Sequence, residues 1–248
     1  MFRRDEMRAR QRFALAYVFP LVPPLISVTL FADLLRATSR LPGFPAPTYH
    51  DWMAPGGMVL VAMMGAGFSA VGVAEDLRSG FNDRLRLLGV TPTSATVGRL
   101  LFDAVRILPA AVAVLVASVI FGDRVHHGPL TAVGLLAIAA GWSMAYNAAF
   151  HVVVQLTKSA QAPQAMLPLF APLTFLSTVW FPRQLMPAWA DHVARLNPVS
   201  GVVEAARQLS AGGHRAGAVL MGSAVIAGVA VVGISAAVQA AHWKGVHQ

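Results

Sequence analysis

Cysteine is absent from all 248 residues, which removes disulfides, thiolate metal sites and cysteine nucleophiles from consideration. Charge is scarce as well: Asp, Glu, Lys and Arg make up 12% of the chain, about half the share of a soluble domain. No Gly-x-x-x-x-Gly-Lys-Ser/Thr run occurs, so the chain has no loop of that kind to cradle nucleotide phosphates. Its apolar runs do not alternate with polar residues, which excludes a membrane barrel. Internal repeats, low-complexity tracts and interdomain linkers are also missing. The formal charge of +8 is no footprint of nucleic acid. The arginines stand at the ends of apolar runs, where they orient helices and meet anionic headgroups, and no basic stripe is interleaved with aromatics.

What the chain has is oil: 56% hydrophobic residues and a mean hydropathy of +0.60. Lipid-exposed backbone must satisfy its own hydrogen bonds, and helices do so within each segment. The expected fold is therefore an all-α membrane protein forming a single domain over residues 1–248. Six apolar runs are read as transmembrane spans, at about 13–31, 54–74, 105–121, 130–156, 166–181 and 216–241. A span needs about 20 residues, so the fifth is short. The first run follows a basic tail and is read as a retained signal anchor, being too long and Pro-rich for a cleaved leader. Six spans put both termini on one side. Twelve Lys and Arg fall on that side and seven on the other, which makes the termini cytoplasmic. Pro20, Pro23 and Pro24 are expected to kink the first span, and Pro168 and Pro172 to distort the fifth. Gly and Ala are dense in spans two, four and six, as close helix packing requires.

The stretch Glu75–Arg106 is unusually polar for a connection between two spans. Leu77, Phe81, Leu85 and Leu88 recur at helical spacing and define one face of an amphipathic helix over 75–89. Asp76, Arg78, Asn82, Asp83 and Arg86 fall mostly on its flanks, while Arg84 projects near the apolar stripe. Periodicity leaves open whether that face lies on lipid or in a protein groove. Gly89 supplies a helix stop, and Thr91-Pro92 an N-cap with proline at the first helical position. On the following helix Arg99, Asp103 and Arg106 share a face, so Asp103 can bridge two arginines. The reading places Asp103 where the helix enters the membrane. That cluster is either an interfacial salt bridge or a transmission element.

The run Phe81-Asn-Asp-Arg-Leu-Arg-Leu-Leu-Gly-Val-Thr-Pro-Thr-Ser-Ala, followed by Gly98-Arg-Leu-Leu-Phe-Asp-Ala-Val-Arg106, resembles the ABC-2 permeases, especially the daunorubicin-resistance type of drug and lipid exporters. Two other stretches match: Tyr49-His-Asp-Trp-Met-Ala-Pro-Gly-Gly57, ahead of span two, and Phe181-Pro, Met186-Pro-Ala-Trp189 and Asn197-Pro-Val-Ser-Gly-Val-Val-Glu-Ala-Ala-Arg207 between spans five and six. The resemblance covers about residues 13–241. It implies the permease subunit of an ATP-driven exporter of hydrophobic or amphipathic cargo in the plasma (inner) membrane. No cofactor is expected in this chain; ATP and Mg belong to two copies of a cytosolic P-loop ATPase. A second permease, identical or homologous, completes the complex, membrane lipid surrounds it, and no nucleic acid is involved.

The same resemblance turns the 75–89 helix into a coupling helix seated on the ATPase, with Leu77, Phe81, Asp83, Arg84, Leu85 and Arg86 as its contacts. Residues 182–215 become a re-entrant segment on the outer face, carrying Pro187, Trp189, Asn197, Pro198, Glu204 and Arg207. With only Met1–Arg12 ahead of span one, the family's interfacial helix is expected to be shortened. The substrate path is assigned to Met63, Met64, Phe68, Trp142, Asn147, Phe170, Phe175 and Trp180, since Met and aromatics present adaptable apolar surface. Each is equally at home in ordinary helix packing. Glu204 and Arg207, three apart, are expected to pair locally or to gate the exit. His151 is read as a packed histidine, because a proton relay needs carboxylates that the spans lack. Two rivals stand beside the exporter: an ion-coupled secondary transporter, which needs a buried acid near mid-membrane, and a non-transporting scaffold.

Overall fold

A computed structural model describes residues 21–121, 128–157, 159, 166, 168, 170–212 and 216–243, with backbone alone at 67, 68, 216, 242 and 243. The described residues contain helices and no strand. The described residues open with a short apolar helix, α1 (Val22–Leu34). Its middle turns, Ser27–Phe31, are π-helical. There Ser27 and Thr29 hydroxyls donate to the carbonyls of Pro23 and Leu25, both at 2.8 Å. Pro23 and Pro24 sit in the first turn of α1, where a missing N–H costs nothing.

Helix α2 (Tyr49–Arg78) is the axis of the molecule. Thr48 and Asp51 form a reciprocal capping box at its start, each accepting the other's backbone N–H at 3.1 Å. That box satisfies two donors a helix N-terminus otherwise leaves orphaned. Its end is set by Gly80, whose φ of 66° is left-handed and open without strain only to glycine. The chain then forms a two-turn helix, α3 (Phe81–Leu87), and stops again at Gly89 with φ 81°. Thr91 caps the next helix by accepting the N–H of Ser94 at 3.2 Å. That helix, α4 (Pro92–Arg106), runs almost straight into α5 (Leu108–Ile120). The break at Ile107 has a local cause, since Pro109 has no N–H to give the ladder. Then come α6 (Gly128–Thr157), α7 (Phe170–Phe175), α8 (Ala188–Leu196), α9 (Pro198–Ser210) and α10 (Ala216–Trp243).

Among the described residues, four stretches are long and apolar enough to cross a membrane: Tyr49–Arg78, Pro92–Ile120, Gly128–Thr157 and Gly217–Ala241. They differ in position. In α2, 81% of the apolar window is buried inside the chain, against 6% in α10. Helix α2 packs against α6, α5 and α9, while α10 lies outside on α6 and α9. Small residues set the spacing there. A Cβ added at Gly233 would meet the Cβ of Ala148 at 2.8 Å, and one at Gly222 the carbonyl of Gly201 at 2.8 Å. Helix pairs in lipid associate through such small-residue contacts.

Several sequence expectations are revised. The helix expected over 75–89 is two helices, because Gly80 breaks it; Leu77 ends α2 and does not share a helix with Phe81. The helix that carries the third apolar run, 105–121, begins at Pro92, as its Thr91-Pro92 start signal predicts, and Asp103 lies on it. Within the fifth run, 166–181, the described helix is only α7, and 176–180 are turns and bends. Residues 13–20 of the first run lie outside the described residues.

Candidate functional site

Two polar centres lie along α2, one at Trp52 and the other at Ser69, about 26 Å apart at 1.5 Å rise per residue. The inner centre is built on Asp103 of α4, whose side chain is 1% exposed. One carboxylate oxygen accepts the hydroxyl of Ser69 on α2. The same oxygen lies 3.5 Å from Nε2 of His151 on α6 and 4.0 Å from Arg99 Nε. The other oxygen faces Arg106 at 3.5 Å. Arg99 in turn pairs with Asp76 of α2 at 2.6 Å, and Arg106 reaches the Gly65 carbonyl at 3.3 Å. Three helices are thus tied at one point by charge, which in a low-dielectric interior is costly unless fully compensated.

Asp103 is buried on the amphipathic helix α4. His151 is packed in the interior, as read from sequence, but it faces a carboxylate partner that the sequence reading did not give it. The arrangement is no hydrolase triad: the Ser69 hydroxyl donates to the aspartate, and one histidine nitrogen faces both groups, so nothing activates the serine. Sequence reasoning missed Ser69 and Asp76; His151 was noticed, but its partner lies 48 positions away on another helix.

Helix α3 hangs beneath this centre. Phe81, Asn82, Leu85 and Arg86 face back toward α2, α4 and α6 across a cavity of about 330 Å3, and Arg86 donates to the Ala241 carbonyl of α10 at 2.9 Å. Asp83, Arg84 and Leu87 occupy the other side, and all three are exposed. Leu87 is 88% and the adjoining Leu88 80% exposed. Arg84 folds over its own helix start, donating to the Ser79 carbonyl at 2.9 Å. The outward face is therefore Asp83, Arg84, Leu87 and Leu88. Of the other residues expected to contact a partner, Leu85 lines the cavity half-buried, while Arg86 and Phe81 line it and are also exposed. Gly80 resets the rotation of the chain, so the stripe counted from Leu77 does not carry through.

The outer centre is built on Arg207 of α9. It is buried, and its guanidinium donates to the carbonyls of Thr178 at 2.6 Å, Val179 at 3.0 Å and Trp52 at 3.2 Å. It also lies flat over the Trp52 ring, 3.3 Å from the centroid. Asn197 caps α9 by accepting the Val199 N–H at 3.0 Å, while its amide donates to the carbonyls of Leu173 and Leu176 at 2.8 and 3.1 Å. The Tyr49 hydroxyl donates to the Trp180 carbonyl at 2.6 Å. The carbonyls of Leu176, Thr178, Val179 and Trp180 lie on the irregular stretch after α7, and that of Leu173 in its last turn, where no helix ladder serves them. Glu204 does not pair with Arg207; it accepts from Gln208 at 3.0 Å. Pro187 and Pro198 open α8 and α9, and Trp189 is exposed.

The side chains assigned to a substrate path separate into two groups. Met63, Trp142 and Asn147 are buried against helices of this same chain, and Asn147 donates to the Ser143 carbonyl at 2.7 Å. They pack the core and present nothing at its surface. Phe175 is 62% exposed and stacks on half-buried Trp180 with ring centroids 5.4 Å apart. Met64 and Phe170 are half-buried, and the Phe68 side chain lies outside the described residues. No group of His, Asp and Glu among the described residues has the makings of a metal site.

The sequence profile described as ABC-2 family transporter protein matches residues 45–238. The chain is 27% identical over 210 residues to the daunorubicin resistance ABC transporter permease protein DrrB1 of Streptomyces coeruleorubidus, covering 83% of this chain and 72% of that protein. It is 25% identical over 152 residues to the probable doxorubicin resistance ABC transporter permease protein DrrC of Mycobacterium tuberculosis, strains CDC 1551 and H37Rv alike. That match covers 61% of this chain and 55% of the mycobacterial protein. No solved structure matches the chain.

Proposed function

Because the chain belongs to the ABC-2 family of transporter proteins, we propose that it is the permease subunit of an ATP-binding-cassette exporter, carrying hydrophobic or amphipathic cargo outward across the inner membrane. In this reading it spans the membrane six times with both termini cytoplasmic, and residues 182–215 re-enter the outer face. ATP and Mg are bound by two copies of a cytosolic P-loop ATPase, and a second permease, identical or homologous, completes the path. Cargo is received by the exposed Phe175 and the half-buried Trp180 stacked on it, together with Met64 and Phe170.

The observation that carries the reading is the outward face of α3. Leu87 and Leu88 are two large apolar side chains held in the open beside Asp83 and Arg84. Burying each leucine in a groove contributes about 1.5–3 kcal/mol, and the flanking charges give the contact its orientation. ATP-driven closure of the partner then moves α3, and the Asp103 cluster passes that movement to α2, α4 and α6. Co-purification from the native membrane tests this: a P-loop ATPase is expected with the intact chain and lost from an Arg84→Ala, Leu87→Glu double variant. Retention by the double variant removes α3 as the docking element, and absence of any such ATPase removes the exporter reading.

One observation favours a second reading. Asp103 buried against His151 between α2, α4 and α6 is the kind of group that ion-coupled transporters use. Transport into vesicles driven by a proton gradient without ATP would select that rival; transport that follows ATP selects the exporter.

A further inference from the structure

The cavity behind α3 has a chemistry of its own, and it does not depend on the transporter reading. Its floor carries the buried His151 and the Asp76–Arg99 pair, and its rim carries Arg86. Arg99 pairs with Asp76 and lies 4.0 Å from Asp103 on its other side. Asp76 engages a single terminal nitrogen of Arg99, and Arg99 Nε is buried without a hydrogen-bond partner. Arg86 has no ion pair among the described residues; its recorded bond is to a neutral carbonyl, that of Ala241. The site therefore holds guanidinium N–H donors that its carboxylates leave unused, a combination suited to an oxyanion such as phosphate.

The wall adds direction. Phe102 lines the cavity and is also 57% exposed, continuous along α4 with the exposed Leu101 and Val105. This is an apolar track leaving the cavity sideways along a membrane-crossing helix. A free inorganic anion has no use for such a track, whereas an acyl chain lies along it while its headgroup enters the cavity. The space, about 330 Å3, equals roughly ten waters at 30 Å3 each, enough for a phosphate headgroup.

We propose that this cavity binds the phosphate headgroup of an anionic membrane lipid, held by Arg86 and Arg99, with its acyl chains against Phe102 and Val105. An occupant there touches α3 through Arg86 and α4 through Arg99, so it braces the short helix against the bundle.

Thermal unfolding of the purified full chain in neutral detergent tests this, titrated separately with dioleoyl phosphatidic acid, dioleoyl phosphatidylcholine and inorganic phosphate. Phosphatidic acid is expected to raise the unfolding temperature saturably, and the other two to leave it unchanged at the same concentrations. Arg86→Gln is expected to weaken phosphatidic acid binding about tenfold, the equivalent of one charge-assisted hydrogen bond. Gly98→Leu provides a second variant that does not touch the charges. A Cβ added at Gly98 meets nothing within 4 Å, so this variant is expected to fold normally and to lose the lipid by filling the cavity. Equal shifts with both lipids, a phosphate shift matching that of phosphatidic acid, or undiminished binding in Gly98→Leu each overturn the proposal.

Discussion

The two ends of α2 handle buried arginines in opposite ways. At the outer end Arg207 has no carboxylate partner; three backbone carbonyls and the face of Trp52 hold it. At the inner end Arg99 and Arg106 share Asp103, with Asp76, Ser69 and His151 completing the group. Carbonyls of an irregular segment have one geometry that a planar guanidinium fits, so the outer centre is a fastener. Carboxylates and arginines exchange partners at similar separations, and several atoms of the inner group, including Arg99 Nε and Arg106 Nε, have no hydrogen bond. A cavity adjoins it. The inner centre is therefore the end built to rearrange, and it is the end from which α3 hangs.

That contrast can be broken, and the largest effect is expected at the outer end. Arg207→Met leaves the Thr178 and Val179 carbonyls without their donor, at about 1–3 kcal/mol each, and the 173–180 segment should detach from α2. Unfolding in detergent should show the loss, and Arg207→Lys should not restore it, since an ammonium cannot reproduce the fork. Asp103→Asn is expected to cost less, about 2–3 kcal/mol, because Asp76 still compensates Arg99. Hydrogen exchange should then rise at 92–106 and stay unchanged at 173–180; a rise at both would mean the two centres are one unit. Asn197→Ala, which removes a helix cap and two carbonyl bonds, should cost about 1–2 kcal/mol and loosen only the outer end.

The smallest effect concerns pH. Hydrogen bonds from Arg195 and Arg183 hold the Asp191 carboxyl below the usual carboxylate range. A carboxyl depressed by folding contributes stability that is fully present above its unfolded pKa and lost as pH falls through the folded value. The α8 segment should therefore loosen only in acid, below the ordinary aspartate range, and an Asp191→Asn variant should show no such acid dependence by hydrogen exchange at 188–196.

What was legible in the sequence was local. Gly89 and Thr91-Pro92 announced a stop and a start because glycine and proline act on their own backbone, and Arg99, Asp103 and Arg106 announced a cluster because helical spacing brings them within 4.0 Å. The Gly80 break was masked by the leucine and phenylalanine spacing, which stays helical across it. Spacing records which residues repeat and carries no sign of φ. The meeting of Asp103 with His151 was invisible because it depends on how α4 and α6 pack. Arg207 was misread for a related reason: its partners are carbonyls, which every residue has, while Glu204 three positions away offered an obvious but unused charge.

The central claim is that α3 faces its partner with Leu87 and keeps Leu85 for the cavity. Photo-crosslinking from native membranes, with a photoreactive side chain placed at each position in turn, tests it most directly. A strong adduct to a P-loop ATPase from position 87 and a weak one from position 85 is the predicted result. The reverse order, or adducts only to lipid from both positions, contradicts the account.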